Sequence, residues 1–159
     1  MGMIFHLLSR FASLPFWNTL VILAAASLWR TGQKERAILL AASPTVEVPT
    51  AMMKALIRRP RPANGATARW VPTASFPSGH VVRTLVTLTL WIGPMAHQFP
   101  SRRAASIVGG LAFLSLMSLA RVASGEHWPS DVLGSYLLGG TWLNLLWLVR
   151  TWRGRNDPR

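Results

Sequence analysis

The chain has 159 residues, enough for one compact domain; half of them are hydrophobic and only 14% are charged. With a mean hydropathy of +0.30, too little polar surface is left to clothe a soluble domain. The formal charge of +12 would suit nucleic acid, but the cations alternate with apolar runs, which points instead to membrane topology and an anion site; the lack of Cys excludes disulfides and thiolate metal ligands.

A spanning helix needs roughly 17–25 mostly apolar residues. Residues 1–10 carry Phe5, Leu7 and Leu8 and read as an interfacial lead-in or a further spanning helix. The first long run, 11–29, is uncharged. Ala24, Ala25 and Ala26 resemble a signal-peptide processing site, but the basic segment that follows resembles a stop-transfer signal, so the run reads as a span. The second run, 37–53, holds Glu47, with Pro44 and Pro49 expected to bend it. Glu47 and Lys54 lie seven residues apart, close to two turns, and so share a helix face. Arg83 is the partner that position offers Glu47.

The first polar island, KALIRRPRP (54–62), follows directly. Its Lys54, Arg58, Arg59 and Arg61 have no carboxylate nearby in sequence. Arg58 and Arg59 read as attractants for lipid headgroups. The linker 63–75 is too short for a lid domain. The second island, FPSGH (76–80), leads into the third run, 84–101, which is uncharged apart from the titratable His97. Ser78 suits a helix N-cap, and Gly79 lets the backbone approach a ligand. A helix start with free amides is a natural phosphate site.

The fourth and fifth runs, 104–120 and 132–149, are uncharged. Between them lies the third island, ARVASGEHWPSD (120–131). Pro129 suits the first position of the last helix, which puts His127 just before it and Asp131 in its first turn. That spacing can bring the carboxylate to one imidazole nitrogen and leave the other as a nucleophile. Glu126 reads as a charge balance beside it. Trp29, Trp70, Trp128 and Trp152 fall at run ends, where indoles prefer to sit.

With five spans, the basic segments after runs one, three and five share one side, the cytoplasm by the positive-inside rule. The three islands then share the outer side. A cation at membrane depth costs about 2.5–3.5 kcal/mol on insertion scales. Lys54, Arg61 and Arg121 therefore call for an anion, and a phosphate with charge near −2 fits the fork of arginine.

Taken together, the islands resemble a known family. Lys54, six residues, then Arg61-Pro62 is similar to K-x6-R-P; Pro77 to His80 is P-S-G-H; Arg121, His127 and Asp131 fit S-R-x5-H-x3-D, with Ala120 in place of the Ser. The set resembles the type 2 phosphatidic acid phosphatase superfamily over the region 54–131. The resemblance implies an all-α integral-membrane bundle of five to six transmembrane helices, one domain over 1–159, in the inner membrane of a bacterium. It implies hydrolysis of a lipid phosphomonoester or pyrophosphate, with the bilayer as partner, no nucleic acid, and neither metal nor other cofactor. Candidate substrates are polyprenyl phosphates and pyrophosphates, phosphatidylglycerol phosphate, phosphatidate and lipid A phosphate. His127 would attack phosphorus, Asp131 would orient it, and His80 would protonate the leaving oxygen. Lys54, Arg61, Ser78, Gly79 and Arg121 would hold the phosphate. The alternatives are a vanadate-dependent haloperoxidase and a non-catalytic lipid-binding protein that keeps the site.

Overall fold

The computed structural model describes residues 14–62 and 74–156, without the side chains of 14, 94–98 and 156. The reading of residues 1–10, Trp70, most of the 63–75 linker and the side chain of His97 lie outside what is described. Six α-helices and two short 3₁₀ segments account for nearly all of it, and no strand occurs among the described residues.

Helix α1 (Leu14–Arg30) is apolar until its last residue. A turn through Gly32, at φ 79°, leads into α2 (Lys34–Ala41), which packs back against α1. The second apolar run does not form one helix. A 3₁₀ segment, Ser43–Val46, with Pro44 in its first turn, separates α2 from α3 (Glu47–Ile57). The cause is local: proline removes a backbone donor and its ring crowds the preceding turn. The break puts Glu47 at a helix start, where the free amides favour a carboxylate. Arg58, in the left-handed conformation at φ 48°, ends α3.

Helix α4 (Gly79–Gln98) is the central post, in contact with α2, the first 3₁₀ segment, α3, α5 and α6. A second 3₁₀ turn, Pro100–Arg102, leads to α5 (Arg103–Ala123). Gly125, at φ 68°, turns the chain beyond α5, and α6 (Pro129–Asn156) starts at the proline, as expected. Val46, Val82 and Val86 pack with Leu138 and Trp142; Val81, Leu114 and Val132 form a second layer nearer the α4 start.

The interior is unusually polar. Ser43, Thr50, Ser78, Arg83, Thr84, Thr87, Arg121, Glu126, His127, Asp131 and Ser135 are all buried. Several of them are paired across the bundle, as burial favours. The Trp17 indole donates to Thr87 at 3.0 Å, tying α1 to α4. Arg83 donates to Glu47 at 2.6 Å, the pair expected from position. The outside is apolar instead. Leu23, Val108, Leu119, Leu137 and Trp147 are each more than 60% exposed.

Two segments, Pro100–Ala123 and Pro129–Arg155, are long and apolar enough to cross a membrane, with mean hydropathy 1.7 and 1.4. Only 28% and 17% of their apolar windows are buried, so neither is the covered core helix of a soluble protein.

Because α4, α5 and α6 alternate in direction, the α3 end, the α4 start, the α5 end and the α6 start gather at one pole. The opposite pole holds Arg150 on Glu35 at 2.7 and 3.0 Å.

Candidate active site

All eight residues singled out from sequence lie on the elements that meet at this one pole, supplied by the end of α3, the loop behind it, the start of α4, the end of α5 and the start of α6. Asp131 is where they are joined. Its side chain is fully buried in the first turn of α6. One carboxylate oxygen accepts from Arg59 at 2.8 Å, the other from the Trp128 amide at 2.9 Å. Its backbone carbonyl accepts from Ser135, one turn on, at 2.7 Å. Ser135 also takes the Ser78 amide at 2.8 Å and lies 3.1 Å from the Ser78 carbonyl. One hydroxyl thus pins the start of α4 against α6.

The approach is close because α6 carries Gly134, where a Cβ would overlap the Phe76 ring. The Ser78 hydroxyl occupies the N-cap position, yet it is buried and meets no protein partner. That orphan oxygen is an open valence facing a preformed helix start.

His127 is 97% buried. Its amide donates to the Arg121 carbonyl at 3.2 Å, and its Nδ1 donates to the Ser75 carbonyl at 2.7 Å. A carbonyl only accepts, so the proton must sit on Nδ1 and the Nε2 lone pair is left for chemistry. The Asp131 carboxylate is 3.7 Å from Nδ1, beyond hydrogen-bond range. The tautomer that sequence spacing ascribes to Asp131 is therefore fixed here by a backbone carbonyl, with Asp131 as a nearby charge.

Burial, then the charges of Arg121, Arg61 and Lys54, push the His127 pKa down from 6.5 to about 3, against the raising effect of the Ser75 carbonyl. His80, in the first turn of α4, lies in the electrostatic field of Arg121, Arg83, His127 and Arg61.

The cations are held by fixed acceptors. Lys54 donates to the Ala74 carbonyl at 2.8 Å. Arg61 reaches the Glu126 carbonyl at 3.3 Å and its carboxylate at 3.4 Å. Arg121 donates to the same Glu126 oxygen. Glu126 is therefore more than a distant charge balance, because one carboxylate oxygen bridges two guanidinium groups. Among the described residues no three His, Asp or Glu side chains gather as metal ligands.

Arg59 departs from the headgroup reading. Besides Asp131 it donates to the Ser130 hydroxyl at 2.6 Å, and its guanidinium lies 5.4 Å from the Trp128 ring centroid. The Trp128 indole in turn donates to the Pro60 carbonyl at 3.0 Å. The only sequence signal was the absence of any carboxylate near the arginine cluster. Arg58, by contrast, is exposed and donates to Ala55 of its own helix.

A family model, described as the PAP2 superfamily, matches residues 36–155. The chain belongs to the PAP2 superfamily. The matched span contains every residue of the pole described above. Among curated relatives, the decaprenylphosphoryl-5-phosphoribose phosphatases of two Mycobacterium tuberculosis strains, CDC 1551 / Oshkosh and ATCC 25618 / H37Rv, are 30% identical over 128 residues. The match covers 79% of this PAP2 chain and 66% of those proteins. Among solved structures, a transmembrane PAP2-type phosphatidylglycerolphosphate phosphatase from Bacillus subtilis superposes with a TM-score of 0.79. That alignment covers 97% of this chain and 77% of the other at 20% identity, so it speaks to the fold.

Two outcomes test this geometry. Arg59→Gln strands a buried carboxylate, and loss of one charge-assisted bond to it costs about 1.5–3 kcal/mol. A thermal midpoint in detergent lowered by several degrees is expected, and an unchanged one would contradict the pairing. Histidine NMR on the phosphate-free protein should show His127 neutral at pH 5, since its folded pKa lies near 3. The folded state then binds fewer protons than the unfolded state below pH 6.5, so this group's contribution to stability is lost on acidification. A protonation midpoint near 6.5 would overturn the assignment.

Proposed function

We propose that this chain is a metal-independent lipid phosphatase whose single membrane-embedded domain opens its site at the outer leaflet of a bacterial inner membrane. The observation that carries the reading is the convergence at one pole of a neutral imidazole, a second imidazole, three inward cations and an orphan helix-start hydroxyl. Such a set suits phosphoryl transfer, where positioning and charge stabilisation do most of the work.

In this reading the phosphate enters between Arg61 and Arg121, with Lys54, the Ser78 hydroxyl and the Gly79 amide on its remaining oxygens. The Nε2 atom of His127 attacks phosphorus in line with the ester oxygen. His80, which takes up a proton as the phosphate's negative charge enters the cup, gives that proton to the ester oxygen, and the lipid alcohol leaves. The phosphohistidine is positively charged on the ring, and the Asp131 carboxylate, 3.7 Å from Nδ1, stabilises it together with the Ser75 carbonyl. Water, deprotonated by His80, then frees inorganic phosphate and restores the neutral imidazole. With Ala120 where the family pattern has Ser, one hydroxyl fewer reaches the phosphate.

Membrane placement follows from polarity. The exposed apolar flanks of α1, α5 and α6 suit hydrocarbon. We read five spans, with α2, the 3₁₀ segment and α3 together forming the second. The pole opposite the site carries Arg30, Lys34, Arg36, Arg102, Arg103 and Arg150, which by the positive-inside rule supports a cytoplasmic side for it and for the C-terminus. The site then sits at the depth of outer-leaflet phosphates. Among substrates, a phosphate ester on a polyprenyl carrier is favoured, because the more similar named relatives act on a decaprenyl-linked phosphoribose. The phosphatidylglycerolphosphate of the structural neighbour ranks behind it at 20% identity.

His127→Asn keeps a donor for the Ser75 carbonyl while removing the nucleophile. Phosphate release from a polyprenyl-linked phosphomonoester in detergent, assayed with EDTA present, should fall at least about a thousandfold. Turnover near that of the native chain would refute the role. Glu126→Gln frees the Arg61 and Arg121 fork from its internal carboxylate. Inorganic phosphate should then inhibit at about tenfold lower concentration, the size of one charge-assisted bond. An unchanged inhibition constant would show that Glu126 does not compete with phosphate.

A further inference from the structure

Away from the catalytic pole, α4 and α5 part to leave a half-open cavity of about 370 Å³. Leu85, Ile92, Gly93, Ile107, Gly110 and Leu114 are among its walls, and Arg103 closes its far end. Its inner end stops at Leu114, which packs on Val81 and Val132, so a layer of side chains separates it from the phosphate cup. From Arg103 to Leu114 the groove follows eleven residues of α5, about 16 Å along the axis. Its outer rim, Ile107 and Leu111, is exposed. Its α5 wall belongs to a segment long and apolar enough to span.

The charge balance at Arg103 identifies the occupant. The four carboxylates among the described residues are committed elsewhere: Glu35 to Arg150, Glu47 to Arg83, Glu126 to Arg61 and Arg121, Asp131 to Arg59. The neighbouring Arg102 lies over the Phe99 ring, 6.0 Å from its centroid. Arg103 is thus a cation at the end of an apolar slot, with no carboxylate among the described residues to meet it. An apolar slot of this length takes a hydrocarbon chain; a guanidinium at its mouth takes a phosphate diester. We propose that this groove binds one acyl chain of an anionic phospholipid, headgroup on Arg103, at the pole opposite the phosphatase site. The proposal rests on the membrane reading above, with that pole facing the cytoplasmic leaflet, whose anionic lipids favour basic side chains. The bound lipid is a resident that fills the α4–α5 gap, and it never reaches His127.

Native mass spectrometry of the delipidated full chain tests this, with dioleoylphosphatidylglycerol and dioleoylphosphatidylcholine titrated in parallel. One molecule of the anionic lipid should be retained about fivefold more tightly than the zwitterionic one, the preference expected of a single interfacial cation. Arg103→Gln should bring the ratio near one, and Arg103→Lys should keep most of it. Gly93→Trp, which places an indole in the slot where no atom lies within 4 Å of a Cβ, should abolish retention of both lipids. Retention that ignores Arg103→Gln and Gly93→Trp would mean that lipid sits elsewhere, the catalytic cup included, and would overturn the proposal. Dimers that retain no lipid would give the groove to a second copy and overturn it equally. Phosphate release measured on the same samples reports separately on the phosphatase reading.

Discussion

Everything at the pole of the candidate site depends on how one buried carboxylate is shared. Asp131 has no exposure, so its charge is tolerable only with strong donors on both oxygens. Arg59 supplies one and the Trp128 amide the other, while Ser135 takes up the backbone carbonyl of the same residue and passes the link to Ser78. Three segments far apart in sequence are thereby held at one point. The imidazole of His127 is fixed from outside that node, by the Ser75 carbonyl, which itself lies beside the segment that Arg59 anchors through the backbone bond from the Ser75 amide to the Arg59 carbonyl. Position comes from main chain and charge from side chains. That division suits a pole that holds like charges close together.

The same logic explains the inverted polarity of the bundle. Hydroxyls, arginines and carboxylates share the middle with the valine layers, while many leucines and tryptophans face outward. In water this arrangement would expose large apolar area and bury costly polar groups. In a bilayer both terms change sign, because the outward side chains meet hydrocarbon and the inward polar groups meet one another. Glu126 belongs to this scheme. It holds Arg61 and Arg121 together through one carboxylate oxygen, an internal counter-charge that an incoming anion would have to displace.

Much of this was legible in the residues. The fourth and fifth apolar runs became α5 and α6, and Pro129 marked the start of the latter, because period and proline act locally. The Glu47–Arg83 pair followed from helical position, and the eight candidate site residues, read from three spaced motifs, lie on elements that meet at one pole. The break in the second run was only half visible: two prolines promised a bend, and the chain made a 3₁₀ turn between separate helices. The tautomer of His127 was out of reach, since its acceptor is a backbone carbonyl, which every residue carries and no letter marks. Arg59 was hidden for a related reason. Its carboxylate partner stands 72 positions away, and the neighbouring Arg58, identical in type, points elsewhere.

Trp128 adds one more consequence. Its ring is partly exposed, its nitrogen is tied to Pro60 and its face to Arg59. An indole so placed settles at the boundary between headgroups and acyl tails. Under the phosphatase reading proposed above, it would work as a float welded to the pole that holds His127. Membrane thickness would then become a variable of the proposed reaction, since a bilayer that swells or thins would lift or lower the ester relative to the imidazole.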